Sequence, residues 1–304
     1  YITFTKEFGV HNLTAMAGNT YQRGGFSRRI EVEGNVFEST QVLLPTFADE
    51  FNIRNNGAGV SAYMSYYGRI NYILMNKYLF TFNYRTDASP RFAPSDRWGS
   101  FPSFALGWKM HEEAFMQGIS NLSTAKLRVS WGISGNDRIG NFRYLSNIYT
   151  GNNNNIVYPL GVNNEMYLGA TINGLPAQNI RWETSTSVNA ALELGLFEDQ
   201  LFFTAEYYNR LTDGILVRVP IPRSTGIDDA PFKNAAEVRN SGMEFILNYQ
   251  GNIGEITYNV SANGGFNTNE VLSLGEGNPI PNGNRGGTGA ITLTDVGQPI
   301  GSFY

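Results

Sequence analysis

Along 78–87 the side chains take turns: Tyr78, Phe80, Phe82 and Tyr84 alternate with Leu79, Thr81, Asn83 and Arg85. Successive residues of an extended strand leave on opposite faces, so this order spells one aromatic face and one mainly polar face. The same alternation sets Ala62, Met64, Tyr66, Ile70, Tyr72 and Leu74 against Ser61, Tyr63, Ser65, Tyr67, Arg69 and Asn71. It returns as Ala125, Leu127, Val129, Trp131 and Ile133 against Lys126, Arg128, Ser130, Gly132 and Ser134, and again as Val188, Ala190, Leu192, Leu194 and Leu196 against Ser187, Asn189, Ala191, Glu193 and Gly195. Met243, Phe245, Leu247 and Tyr249 against Glu244 and Asn248 add a further copy. Each is a strand with one wet face, which a soluble antiparallel sandwich would also show.

Strand length and connection length separate the two architectures. The pattern predicts strands at 1–5, 10–22, 60–74, 78–88, 98–110, 123–135, 183–197, 201–218, 238–250 and 255–268. Apart from the first, these exceed the five or six residues typical of soluble strands. Their connections alternate in size: 6–9, 75–77, 198–200 and 251–254 are tight, with 111–122 somewhat longer in the same series. Between them lie 23–59, 91–97, 136–182, 219–237 and the tail from Asn269, mostly long and rich in Asn, Gly and Pro. Short turns at one rim and long loops at the other are the pattern of an outer-membrane barrel, and a sandwich has no reason to keep it. No run approaches the roughly 18 apolar residues of a membrane helix, so any crossing is made by strands. The fold class expected is all-β: an antiparallel transmembrane β-barrel segment of about ten strands, with 1–304 part of one barrel domain. Tyr72, Tyr78, Trp108 and Trp131 are then natural anchors at the lipid–water boundary, the other reading being ordinary core aromatics.

Composition excludes several function classes. With 22 Lys+Arg against 26 Asp+Glu and no basic block, nothing marks a nucleic-acid footprint. The absence of cysteine removes disulfides and thiolate metal sites. Only two histidines exist, His11 and His111, both placed at the short-turn rim. His111-Glu112-Glu113-Ala114-Phe115 opens like a zinc-protease helix, but Phe115 stands where the second histidine ligand is required. There is no Gly-Lys pair for a phosphate loop, no Gly-x-Ser-x-Gly elbow, and the Gly-rich stretch 275–289 lacks the strand-then-helix setting of dinucleotide binding. The expectation is a non-enzyme with no cofactor, metal site or catalytic residue. On the wet faces, Arg69, Arg85, Asp87, Arg128, Glu193, Glu206 and Arg210 project toward the barrel interior, together with Tyr63, Tyr67 and Tyr208. Two readings of these ten stay open: a hydrated ion network on the wall or against a plug domain, and contacts to cargo.

Several motifs carry a family resemblance. Tyr84-Arg85-Thr86-Asp87-Ala88-Ser89-Pro90-Arg91-Phe92-Ala93-Pro94, followed by Arg97-Trp98-Gly99-Ser100-Phe101-Pro102-Ser103-Phe104, resembles the strand, tight Arg-Phe loop and Arg-Trp-Gly strand of SusC/RagA-type TonB-dependent importers. Lys126-Leu127-Arg128-Val129-Ser130-Trp131-Gly132 with Gly135-Asn136, Asn179-Ile180-Arg181-Trp182-Glu183-Thr184, and Tyr208-Asn209-Arg210-Leu211-Thr212-Asp213-Gly214-Ile215-Leu216 continue the series. Asn240-Ser241-Gly242-Met243-Glu244 and Gly297-Gln298-Pro299-Ile300-Gly301-Ser302-Phe303-Tyr304 complete it in family order. Ala88 and Pro90 depart from the Gly and Ser usual in the family, and Trp131 from Tyr. The resemblance implies the middle-to-late part of a 22-stranded barrel in the cell outer membrane. It also implies import of a nutrient, glycan or oligopeptide, with a SusD-like surface lipoprotein at the long-loop rim and TonB acting from the periplasm through an N-terminal plug region. A chain that opens inside a strand and breaks off within a family motif at Tyr304 reads as a piece of such a protein. A passive porin or adhesin is the other reading of the periodicity.

Overall fold

The computed structural model describes residues 1–24, 29–36, 48–56, 62–140, 143–145, 148–150, 156–163, 165–172, 174–177, 179–218, 224, 231–275, 279–284 and 290–303. Gly59, Val219, Gly289 and Tyr304, which bound segments read from the sequence, lie outside them. One ten-stranded antiparallel sheet dominates, each strand paired with its neighbours in the sequence of sheet strands. We number these β1 (Ile2–Phe8), β2 (His11–Arg23), β3 (Ala62–Leu74), β4 (Tyr78–Ala88), β5 (Trp98–Lys109), β6 (Leu122–Asn136), β7 (Glu183–Leu196), β8 (Leu201–Arg218), β9 (Phe232–Ile253) and β10 (Ile256–Leu274).

Register shows that the alternation is coherent across the sheet. Phe82 lies opposite both Ile70 and Phe104, Phe104 opposite Trp131, and Trp131 opposite Val188, giving an unbroken apolar row over β3 to β7. One residue along, Arg69, Asn83, Ser103, Gly132 and Ser187 form the row that leaves on the other face. A slip of one residue at any pairing would mix the rows, so the sequence pattern itself fixes the register.

Several boundaries differ from those read in the sequence, for physical reasons. β1 runs on to Phe8 because Lys6, Glu7 and Phe8 pair with Leu13, Asn12 and His11, leaving Gly9 and Val10 as the turn. Gly9 has φ +58°, a left-handed backbone that suits glycine. β9 begins at Phe232 and β10 extends to Leu274, taking in residues read as loop. Their ends pack Ala236, Val238, Val271 and Leu274 into a small buried cluster beside Ile215 and Val217, which rewards pairing beyond the amphipathic stretch. The long connections carry hairpins of their own: Arg29–Val36 with Ala48–Asn56, Ile148–Thr150 with Ala170–Ile172, and Val157–Leu160 with Glu165–Leu168. In the tail, Ile280–Asn284, Ala290–Thr294 and Ser302–Phe303 make a three-stranded sheet.

At the short-turn rim backbone bonds tie each turn to the adjacent turn or strand end. Met75 N donates to Val10 O (2.7 Å), Lys109 N to Lys77 O (2.9 Å), Phe197 N to Asn121 O (2.9 Å) and Gln250 N to Gln200 O (2.8 Å). These ends also step. β6 runs four residues past Lys126, the partner of Lys109, to Leu122, and β9 runs four past Tyr249, the partner of Leu201, to Ile253. With the turns in one plane, two such offsets over nine strand-to-strand steps incline the strands by about 30° at roughly 3.3 Å per residue and 4.8 Å per strand.

Candidate functional site

All ten residues singled out from the sequence leave on the polar face. Tyr67 pairs with Arg85, Ser65 with Asp87, Lys126 with Glu193, and Ala191 with both Arg128 and Glu206. Asn189 pairs with Tyr208 and Ser187 with Arg210. Tyr63, opposite Gln22, leaves on the same face near the start of β3.

The other nine fall into three groups, with Glu206 shared by two. Near the long-loop end, Arg85 Nε donates to both carboxylate oxygens of Asp87 (2.9 and 2.8 Å) and its Nη2 to Ser65 Oγ (3.1 Å), while the guanidinium lies 5.8 Å from the centre of the Tyr67 ring. Arg69 stands beside them and donates to Asn83 Oδ1 (2.6 Å), which hands the chain on to Ser103 (3.2 Å). Towards the short-turn end, Arg128 bridges two carboxylates. Its Nη2 donates to Glu206 (2.8 Å), and its Nε sits 2.7 Å from Glu193 without the alignment of a hydrogen bond. Lys126 adds a third link, to the other Glu193 oxygen (3.2 Å). Glu206 also faces Glu244 directly across the β8–β9 pair, and Arg128 offsets that repulsion.

The third group lines a concavity of about 360 Å³ between Asn189, Glu206, Tyr208, Arg210, Asn240, Glu244 and Asn267. Tyr208 donates to Asn267 (3.0 Å) and Arg210 to Ser187 (3.3 Å). Tyr67 and Tyr208 reach their positions in the same way, each lying over a glycine of the adjacent strand. A Cβ on Gly18 would come within 2.8 Å of the Tyr67 ring, and one on Gly242 within 2.8 Å of the Tyr208 hydroxyl. The wall is thin there because the partner has no side chain.

Sequence reasoning passed over Lys126 and Glu244, although both follow from the parity that selected Arg128 and Glu206. It also passed over Glu113, whose partners lie on other elements. Glu113 accepts from Tyr78 Oη (2.6 Å), Trp108 Nε1 (3.2 Å) and Lys77 Nζ (3.1 Å), and these bonds hold its carboxyl below the usual carboxylate range, with the Tyr78 bond contributing most. His11 and His111 both sit at the short-turn rim. His11 Nδ1 lies 2.6 Å from Tyr72 Oη, and His111 Nδ1 lies 3.1 Å from both the backbone N and O of Ala125.

A second construction closes the long-loop end of the polar face. Trp182 packs edge-on against Phe101 (5.2 Å between ring centres) and against Phe92 (5.1 Å), and its Nε1 donates to Arg97 O (3.1 Å). Phe92 is fully buried with Ala177 and Ile180. The Arg-Phe loop that looked like a family signature is thus the centre of a packed cluster.

Over residues 1–295 the chain matches the profile described as "TonB dependent receptor-like, beta-barrel". The chain belongs to this family. It is 34% identical to the TonB-dependent receptor SusC of Bacteroides thetaiotaomicron and 29% identical to the TonB-dependent receptor P3 of Formosa agariphila, in both cases over 100% of this chain. It spans 30% of the length of each. Among solved structures, the RagAB peptide importer in its closed-closed state superposes with a TM-score of 0.76 at 23% identity, covering 99% of this chain and 32% of that one. The RagAB peptide transporter superposes with a TM-score of 0.75 at 25% identity, again over 99% of this chain and 32% of that one. The ten-stranded sheet is therefore a sector of a TonB-dependent receptor barrel, its antiparallel order and coherent register those of a barrel wall.

Proposed function

We propose that this chain forms part of the wall of an outer-membrane importer that is energised through TonB, works with a SusD-like surface lipoprotein and carries a glycan or oligopeptide. Its apolar face meets lipid and its polar face lines the lumen. The observation that carries this reading is the unbroken division of the sheet into one apolar and one polar face. In a membrane, backbone groups must pair with neighbouring strands and the outer face must match hydrocarbon.

The dimensions agree. Trp98 and Trp108 lie ten residues apart on the apolar face of β5, about 34 Å along the strand and about 26–29 Å in height at a 30–40° incline. A barrel's apolar band between its two aromatic girdles is about 25 Å tall. Tyr66, stacked on Trp98 at 6.0 Å, and Tyr84 belong to the upper girdle, and Tyr72 and Tyr78 to the lower. Trp131 lies beside Phe104 in mid-band and so falls outside the girdles where the sequence reading had placed it.

The ten polar-face residues serve in this reading as wall contacts to the plug or to cargo. The long connections 23–59 and 136–182 meet the lipoprotein. The test is to delete the hairpin segment 157–168 from the full-length receptor and purify it with its lipoprotein. Loss of the lipoprotein and of nutrient uptake, with the barrel still heat-modifiable, is expected. Uptake that continues after removal of TonB would overturn the energised importer and leave a passive porin.

A further inference from the structure

The cluster around Trp182 has a feature that the barrel wall does not require: residues 89–97 grip both ends of the 136–182 connection. At its start, Asp137 accepts from Ser89 Oγ through Oδ2 (2.7 Å), and Arg91 Nη1 donates to Asp137 O (2.8 Å) and lies 3.4 Å from Oδ1. At its finish, Trp182 is held by Arg97 O, Phe92 and Phe101. Asn234 secures the finish from the other side. Its Oδ1 accepts from Arg181 N (2.9 Å), and its Nδ2 donates to Arg181 O (2.9 Å) and Gly214 O (2.6 Å), so that a side-chain amide pairs with the backbone as a strand would.

This arrangement differs from ordinary loop packing in what it fixes. The loop between β4 and β5 is joined to itself by Ser89 N donating to Arg97 O (3.1 Å), so its two grips are linked across the base of the loop. Between it, 175–177, 179–181 and 231–234 lies a recess of about 680 Å³ whose lining includes Leu175, Pro176, Pro231 and Phe232 together with the charged Asp96, Arg181 and Lys233. The wall from the end of the 136–182 connection is set against the β4–β5 loop at the finish grip, since Ala177 and Ile180 are buried with Phe92. Asn234 joins the two remaining walls, since it lines the recess and bonds to the backbone of Arg181.

We propose that residues 89–97 are a buckle, with Asp137, Trp182 and Asn234 as positioning residues that hold the 136–182 connection in place and keep the recess open at the lumen mouth, where cargo first meets the wall. The inference rests on the importer reading, but one of its readouts does not. The experiment uses the full-length receptor in outer membranes, with Asp137→Ala, Trp182→Ala and Asn234→Ala, and with Trp182→Phe as the conservative variant.

Two measurements are made: trypsin cleavage within 138–181 from the outer surface, and the dependence of uptake on nutrient concentration. Each alanine variant should be cut faster than the parent while remaining heat-modifiable. Its half-saturation concentration should rise by about tenfold with the maximal rate little changed, and Trp182→Phe should recover most of the difference. Unchanged cleavage in all three alanine variants would overturn the buckle whether or not the protein transports. Faster cleavage with no change in uptake would overturn the positioning role. If a variant loses heat-modifiability, Ser89→Ala, which removes the hydrogen bond to Asp137 and the one that Ser89 Oγ accepts from Arg91 N (3.3 Å), supplies the same comparison.

Discussion

Parity decides what a single residue does here. Phe80 and Thr81 are neighbours in sequence on opposite faces of β4, and their replacement by arginine separates the environments of those faces. With the apolar face against lipid, as proposed, Phe80→Arg should destabilise the barrel by about 2–4 kcal/mol near mid-membrane, whereas Thr81→Arg on the polar face should cost much less. Heat-modifiability and unfolding in denaturant check this, and equal tolerance of the two would count against the assigned faces. Glu113 offers a second test at this scale. Its carboxyl is held below the ordinary value, so its contribution is fully present above the unfolded-state pKa and is lost as pH falls through the lowered folded-state value. Glu113→Gln should therefore lower the unfolding midpoint at neutral pH, and the gap to the parent should close on acidification. A gap that does not depend on pH would show that the charge is not what Tyr78, Trp108 and Lys77 recognise.

Elements follow the same rule with one addition, the glycines that let strands approach. A Cβ at Gly242 would collide with the backbone oxygen of Phe266 and with Tyr208, whereas one at Gly264, on the paired strand, would meet nothing within 4 Å. Gly242→Ala should cost about 1–3 kcal/mol, an overpacking penalty against backbone, while Gly264→Ala should be close to neutral. Denaturant unfolding of the two variants side by side is the check, and similar midpoints would refute the close approach. The extents of β4, β5 and β8 could be read from the sequence because their alternation is strong and their ends carry turn residues. The ends of β9 and β10 could not. Lys233 to Glu237 holds no large apolar residue, and from Asn269 to Leu274 the adjacent Val271 and Leu272 break the alternation; the pairing of both is sustained by the Val238 and Val271 cluster, which forms only once distant segments meet.

For the molecule as a whole, the polar face was legible and the packed cluster at its long-loop end was not. Period two assigns Arg85, Arg128, Glu206 and Tyr208 to one face with no knowledge of neighbours. The partners of Asp137 and Trp182 lie far along the chain, at Ser89, Arg91 and Arg97, and no local pattern announces them. The Arg-Phe loop could be recognised as a family motif, but its role as a packed centre needed coordinates. What unites these scales is the assignment of the apolar face to lipid and the polar face to a watery interior. The chain contains no cysteine, so single cysteines can be introduced from 78 to 87 in β4 and exposed to a hydrophilic thiol reagent in intact outer membranes. Labelling should alternate, strong at 79, 81, 83, 85 and 87 and weak at 78, 80, 82, 84 and 86. Uniform labelling, or strong labelling at the even positions, would contradict the account.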